Sequence, residues 1–159
     1  MTSYVDINIL EWMSSAKVPF ETTLRVRDCC LCLHVQRAAR TLARRFDEAL
    51  RPFELTNGQF SLLMSLNRPE PASMASVAEV LAMDRTTLTA ALKPLKRRGL
   101  VKVVADRADR RGRRLSLTSA GENLLASAVP VWEQTHREVE TLIKNVGPDR
   151  LRSGLLALS

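Results

Sequence analysis

Apolar residues return every three or four positions through most of this chain, which is the spacing of one face of an α-helix. The first such run predicts a helix from about Thr23 to Arg51, which Pro52 ends. Its apolar face consists of Leu31, Val35, Ala38, Leu42, Phe46 and Leu50. A helix of this length is long for a small domain, so we expect part of it to pack against a second chain.

A capping pattern opens the next helix. Thr56 is followed three residues later by Gln59, which predicts a capping box. We expect this helix to end near Leu66, before two prolines.

Two short helices joined by a tight turn come next. The first is predicted over about 76–82, with Val77, Val80 and Leu81 facing inward. Asp84 is placed to cap the second, and Gly99 is placed to end it. The inner side of this second helix is formed by Leu88, Ala91, Leu92 and Leu95. Such a pair is typical of a helix-turn-helix.

The apolar period then changes from 3.6 to 2, which is typical of strands. Residues 100–104 and 113–117 predict a hairpin, with Leu115 and Leu117 facing inward. Thr118 then caps a helix that runs to about Lys144, and a short helix over about 151–158 completes the chain. The predicted fold class is therefore mostly α, a winged helix-turn-helix with a small β-hairpin wing.

The positive charge is concentrated on the predicted winged unit. Eleven of the 24 Lys and Arg residues lie between Asp84 and Arg114, against three acids. This stretch carries a formal charge of +8, and the rest of the chain carries −1. Because the charges alternate with apolar residues, they belong to a folded surface, and such a surface favours a polyanionic partner.

The composition of the chain limits the cellular compartment and the kinds of chemistry that we expect. No apolar run approaches the roughly 20 residues that span a bilayer, and the first residues lack the pattern of a signal peptide, so we expect a cytoplasmic protein. The three cysteines lie at Cys29, Cys30 and Cys32, and we expect them to be thiols there. No catalytic triad, phosphate-binding glycine loop or metal-ligand set is visible, so we expect no enzyme, no cofactor and no metal.

Four motifs in order resemble the multiple-antibiotic-resistance regulator (MarR) family. They are Asp84-Arg85-Thr86-Thr87-Leu88-Thr89, Gly99-Leu100-Val101, Asp109-Arg110-Arg111, and Leu117-Thr118 followed by Gly121. The resemblance implies a homodimer held by the first helix and the last two, with two winged domains below. Its boundaries would be an arm and dimerisation helix at 1–52, the DNA-binding domain at 53–118 and C-terminal dimerisation helices at 119–159. It also implies a transcription factor, often a repressor, that a small molecule or an oxidant releases.

The outer face of the second short helix is the predicted reader of double-stranded DNA. It offers Arg85, Thr86, Thr87, Thr89 and Lys93 to bases and phosphates. The wing adds Arg107, Arg110, Arg111, Arg113 and Arg114, and arginines of this kind enter narrow minor grooves. By the resemblance, the pair Asp109-Arg110 includes an arginine that braces the wing by pairing with an acid such as Asp84. We expect Arg111 to contact the minor groove, although the sequence does not distinguish its role from that of Arg110. A pseudo-palindromic operator is expected, with half-sites about 10 base pairs apart.

Two mechanisms that would release the protein from DNA remain open. Cys32 resembles the oxidised cysteine of the organic-hydroperoxide-sensing branch of this family, and on one continuous helix it would share a face with Cys29. The alternative is that the cysteines only pack as small apolar residues. By the resemblance, a ligand crevice would lie between the dimer helices and the winged domain, lined by Arg37, Phe60, Met64 and Trp132.

A second class of function fits the same fold. A winged helix can also be an interaction module that binds protein or RNA without specific affinity for duplex DNA. Competition between duplex DNA, structured RNA and heparin at fixed salt distinguishes the two hypotheses.

Overall fold

The computed structural model describes residues 17–106 and 112–158, which form two compact units that divide after Leu42. The first unit holds helix α1 (Phe20–Cys29) and the start of α2 (Leu31–Leu50). The second holds the rest of α2, a 3-10 turn (Arg51–Phe53), five further helices and a small sheet. The five helices are α3 (Asn57–Ser65), α4 (Met74–Val80), α5 (Arg85–Arg97), α6 (Ser119–Leu142) and α7 (Pro148–Leu156).

The prediction of one helix from Thr23 to Arg51 is wrong at Cys30. This residue has extended backbone angles, φ −76° and ψ 107°, between α1 and α2. Its amide donates to the Val26 carbonyl at 3.1 Å, and its carbonyl accepts from the amide and the ring Nδ1 of His34. Asp and Cys have low helix propensity, so the run Asp28-Cys29-Cys30 is a weak place where one helix ends and another begins.

The caps that the sequence predicts for three helices are confirmed. The Thr56 hydroxyl accepts from the Gln59 amide while the Gln59 side chain accepts from the Thr56 amide, which is the capping box of α3. The Asp84 carboxylate accepts from the Thr87 amide at 2.8 Å and begins α5. Thr118 caps α6 in the same way, by accepting from the Gly121 amide.

Helix α4 begins two residues earlier than predicted, because the Ser73 hydroxyl caps it by accepting from the Ser76 amide. Its inward stripe is formed by Met74, Val77, Ala78 and Leu81. Val80 lies outside that stripe and is 71% exposed, so the prediction that it faces inward is wrong.

Helix α5 presents its leucines to the core as predicted. Leu88 and Leu95 are fully buried, Leu92 is nearly so, and Ala91 packs beside them. Gly99 follows the helix with φ +68°, a conformation that glycine adopts without strain. Together α4, the turn and α5 form the predicted helix-turn-helix.

The sheet has three antiparallel strands in the order β1-β3-β2, with β1 at Ala72–Ser73, β2 at Val101–Ala105 and β3 at Arg113–Leu117. The hairpin of β2 and β3 is confirmed, with Val103 opposite Leu115. Leu115 and Leu117 face inward as predicted. Strand β1 was not predicted, because two residues carry no period, and it pairs Ala72 with Leu115.

Helix α6 starts against the base of the hairpin. The Thr118 amide donates to the Leu100 carbonyl, and its hydroxyl donates to the Gly99 carbonyl at 2.6 Å. An added Cβ at Gly121 would lie 2.2 Å from the same Leu100 oxygen. This close approach joins the wing to α6. In the described part of the chain, no helix combines the length and apolar character that crossing a membrane requires.

Gly121→Ala is expected to lower the free energy of unfolding by about 1–3 kcal/mol, because the new methyl group meets a fixed backbone oxygen. Gly58→Ala is the matched control, since no atom lies within 4 Å of an added Cβ on α3. We expect the control to raise stability by about 0.4–1 kcal/mol. Urea unfolding measures both, and equal effects would contradict the close approach at Gly121.

Asp84→Ala is expected to lower stability at neutral pH and to have less effect in acid. Hydrogen bonds from the amide and then the hydroxyl of Thr87 hold the pKa of Asp84 below its ordinary value. Its contribution is present above the unfolded-state pKa of about 3.9 and is lost as pH falls through the lower pKa of the folded state. Urea unfolding at several pH values measures the difference between wild type and variant.

Ser73→Ala removes a cap of the same kind from α4 without removing a titratable group. Its effect on stability should therefore stay constant over the pH range in which the effect of Asp84→Ala shrinks. A pH-independent effect of Asp84→Ala would contradict the stabilisation of the carboxylate by Thr87.

Candidate nucleic-acid interface

The outer face of α5 carries all five residues that the sequence predicts there. Because leucines occupy the inner face, the remaining positions point to solvent, and each of the five is exposed. They are Arg85, Thr86, Thr87, Thr89 and Lys93. The helix thus offers two cations and three hydroxyl-bearing side chains on one surface.

Two of the three threonine hydroxyls are already oriented. The Thr87 hydroxyl donates to the Asp84 carboxylate at 2.7 Å, and the Thr89 hydroxyl donates to the Arg85 carbonyl at 2.7 Å. Their protons are therefore committed, while their lone pairs and methyl groups remain available. Such side chains suit an amino group of adenine or cytosine, or the methyl group of thymine.

The N-terminus of α5 is occupied by its own cap. The amides of Thr87 and Thr86 both face the Asp84 carboxylate and contribute to its lowered pKa. Amides at this end are therefore poor partners for a phosphate, and Arg85 is the better one. The proposed pairing of Asp84 with a wing arginine stays a prediction, since Asp109 and Arg110 lie outside the described residues.

The wing and α5 meet at a cleft of about 420 Å³. Arg85 and Arg113 both line it, although 28 positions separate them in the chain. The other lining residues come from α4, its cap and the hairpin: Ser73, Met74, Ala75, Ala78, Asp106 and Gly112. Arg107 and Arg111 lie outside the described residues, as Arg110 does. The described part of the interface is therefore a basic cleft beside the exposed face of α5.

Two arginines of the basic stretch have structural partners that sequence reasoning missed. Arg98 donates to the carbonyls of Phe53 and Glu54, and so ties the end of α5 to the 3-10 turn. Arg114 pairs with Asp106 across the base of the hairpin at 2.7 Å. Only the strand register could have indicated the second pair. Arg114 is the second residue of β3 and lies opposite Val104, two residues before Asp106 on the neighbouring strand.

The cysteines are all free thiols, but they do not share a helix face. The break at Cys30 places Cys29 at the end of α1 and Cys32 near the start of α2, so the predicted alignment on one helix is wrong. The Cys32 sulfur accepts a hydrogen bond from the Gln36 amide at 3.2 Å. No group of His, Cys, Asp and Glu in residues 17–106 and 112–158 is arranged to hold a metal ion.

Three of the four predicted crevice residues line one pocket of about 360 Å³. Phe60, Met64 and Trp132 share it with Ser61, Ser65 and Val80. Trp132 stacks on Phe60 at 5.8 Å and on His136 at 4.9 Å, measured between ring centroids. Arg37 belongs to the first unit, and its place in this crevice stays a prediction. The pocket is aromatic, with two hydroxyl groups to orient a ligand.

Comparison with known proteins agrees with this geometry. The MarR family model matches residues 53–112, from the 3-10 turn into the wing. The crystal structure of the transcriptional regulator MosR of M. tuberculosis in complex with DNA has 39% sequence identity and a TM-score of 0.74, covering 81% of this chain and 92% of that one.

Two further solved structures are similar. The transcriptional repressor CouR of Rhodococcus jostii, bound to a 23-mer DNA duplex, has 28% identity, a TM-score of 0.67 and coverage of 84% of this chain and 92% of CouR. BpsR of Bordetella bronchiseptica, whose DNA binding is regulated by 6-hydroxynicotinic acid, has 26% identity, a TM-score of 0.65 and coverage of 80% and 95%. The ordered motifs, the winged fold and these matches lead to one conclusion: the chain belongs to the MarR family of transcriptional regulators.

Proposed function

We propose that this protein is a dimeric, cytoplasmic regulator that binds a pseudo-palindromic operator in duplex DNA and represses transcription. The observation that carries the proposal is the exposed face of α5, held outward by buried leucines beside a cleft that two arginines line. MosR and CouR, whose structures contain DNA, support it at 39% and 28% identity, and CouR is a repressor. The relatives are regulators of transcription.

Exposed apolar side chains on the terminal helices support a dimer. In α1 and α2 they include Phe20, Val26, Leu31 and Val35, and around α7 they include Leu142, Val146, Leu151, Leu155 and Leu156. Large apolar surfaces of this kind are usually covered by a partner chain. A two-fold dimer would present two copies of α5 to successive major grooves about 10 base pairs apart.

The proposed DNA contacts fall into two groups. Arg85, Thr86, Thr87, Thr89 and Lys93 of α5 enter the major groove, where Arg85 binds guanine or a phosphate. Arg107, Arg110, Arg111 and Arg113 of the wing follow the minor groove, with Asp84 and Asp109 as bracing acids. The +8 charge of the whole stretch draws it to the phosphate backbone.

A duplex selected from a random pool provides the operator for a quantitative test. Arg85→Ala is expected to weaken binding and to lower the slope of log K against log salt by about 0.9 for each subunit of the dimer, because each subunit loses one phosphate contact. Arg111→Ala should act in the same way. Arg137→Ala on α6, where the guanidinium bonds to Gln134, is the control and should leave the slope unchanged.

Competition assays decide between the two classes of function. Preference for the selected duplex over structured RNA and heparin at fixed salt supports the regulator. Equal affinity for all three would replace it with a general interaction module.

We propose the aromatic pocket at Phe60 and Trp132 as the site where a small molecule releases the operator. It is lined by α3, by Trp132 of α6 and by Val80 of α4, so a ligand there touches the helix that packs against α5 and the helix that leads to the C-terminal end. The ligand regulation of BpsR supports this route. Cys32 is the second candidate, because the residue is exposed and its free thiol accepts a hydrogen bond from the Gln36 side-chain amide.

Hydroperoxide treatment separates the two routes. If Cys32 is the sensor, operator affinity falls in the wild type and stays unchanged in Cys32→Ser. Unchanged affinity in the wild type, or an equal loss in both proteins, eliminates the cysteine route. The measurement is a binding titration before and after oxidation, with reductant added at the end to test reversal.

A further inference from the structure

Two adjacent arginines of β3 face opposite sides of the wing. Successive side chains of a strand alternate in direction, so Arg113 and Arg114 point apart. Arg113 lines the cleft that Arg85 shares. Arg114 lines a second hollow of about 440 Å³, together with Glu70, Pro71, Val104, Ala105 and Asp106, and Asp106 borders both hollows.

The Arg114 side chain connects three segments of the winged unit. Its Nε donates to the Asp106 carboxylate at 2.7 Å, and its Nη1 donates to the Pro71 carbonyl at 3.4 Å. Asp106 is the first residue after β2, and Pro71 is the residue before β1. A single guanidinium therefore links the middle strand to the ends of both neighbours.

Asp106 is held at this point by its backbone as well. Its amide donates to the Gly112 carbonyl at 3.1 Å, which closes the base of the hairpin loop. Its side chain is only 14% exposed, whereas that of Arg114 is 41% exposed. A carboxylate this well shielded from solvent depends on its ion-pair partner far more than an exposed carboxylate does, because a largely buried charge without its partner is costly.

We infer that Asp106 and Arg114 are positioning residues, which set the direction in which the wing leaves the sheet, while Arg113 contacts DNA. This inference rests on the proposed function, since the wing must have a groove to enter. The pair fixes the two points, Asp106 and Gly112, from which the loop starts and to which it returns. Arg114 thereby serves DNA binding without touching DNA.

The direction in which one substitution changes the affinity for the operator tests the inference. Asp106→Asn removes a negative charge from a DNA-binding surface, so electrostatics alone predicts tighter binding. If the acid positions the wing, the same substitution weakens operator binding by roughly tenfold. Equal or tighter binding by Asp106→Asn would overturn the inference.

A double-mutant cycle shows whether the pair acts as a unit. Arg114→Gln should weaken binding at least as much as Asp106→Asn, since it also loses the Pro71 contact, and the double variant should be no weaker than Arg114→Gln, because both substitutions break the same ion pair. Arg113→Gln is the matched control, with the same change of charge one residue away. Its effect should be coupled to that of Asp106→Asn less strongly than the effect of Arg114→Gln is. Additive effects of Asp106→Asn and Arg114→Gln would identify Arg114 as a direct contact and overturn the inference.

Footprinting and hydrogen exchange separate positioning from a general loss of structure. The variants should lose minor-groove protection of the operator while they keep major-groove protection by α5, whereas an unfolded wing-and-helix unit would lose both. In the free protein the Asp106 amide should exchange faster in Asp106→Asn and Arg114→Gln but not in Arg137→Gln, whose guanidinium bonds to Gln134 on α6. Unchanged exchange in all three variants would overturn the inference. A wild-type chain that binds no duplex would instead overturn the proposed function itself, and this role with it.

Discussion

The burial of three leucines on α5 is the constraint on which the proposed DNA-binding surface depends. Leu88, Leu92 and Leu95 lie on one face and are almost entirely removed from water. Burying a leucine contributes about 1.5–3 kcal/mol, so rotating the helix about its axis would lose several times that amount. The rotation of α5 is therefore fixed, and the residues between the leucines have to face solvent.

The wing is attached to the same core. Leu115 of β3 is fully buried and pairs with strands on both sides, so the base of the hairpin cannot move without opening the core. The contact of Gly121 with the Leu100 carbonyl then joins the hairpin to α6. Farther along α6, Trp132 stacks on Phe60 of α3. One packed unit thus connects the α5 surface, the wing and the aromatic pocket, so that the proposed ligand site and the proposed DNA-binding face belong to the same core.

Arginines that look equivalent in the sequence have different roles in the structure. Arg98 ends a run of three basic residues, yet it donates to the backbone carbonyls of Phe53 and Glu54 at the end of the 3-10 turn. Arg113 and Arg114 are adjacent, yet one lines the cleft beside α5 and the other pairs with Asp106. The net charge of the segment could be predicted from the sequence, because it is the sum of the charges of its residues. The role of each arginine could not be predicted, because it depends on partners that lie 8 to 45 positions away.

The sequence by itself determined the features whose physics is local. The caps at Thr56, Asp84 and Thr118 form within three residues, and the apolar periods of α5 and the hairpin are set by each element's own geometry. The tertiary structure alone decided the exposure of Val80 and the cleft that unites Arg85 with Arg113. In each of these cases several weak preferences compete, or residues far apart in the chain meet, and only the packing of the whole unit selects the outcome.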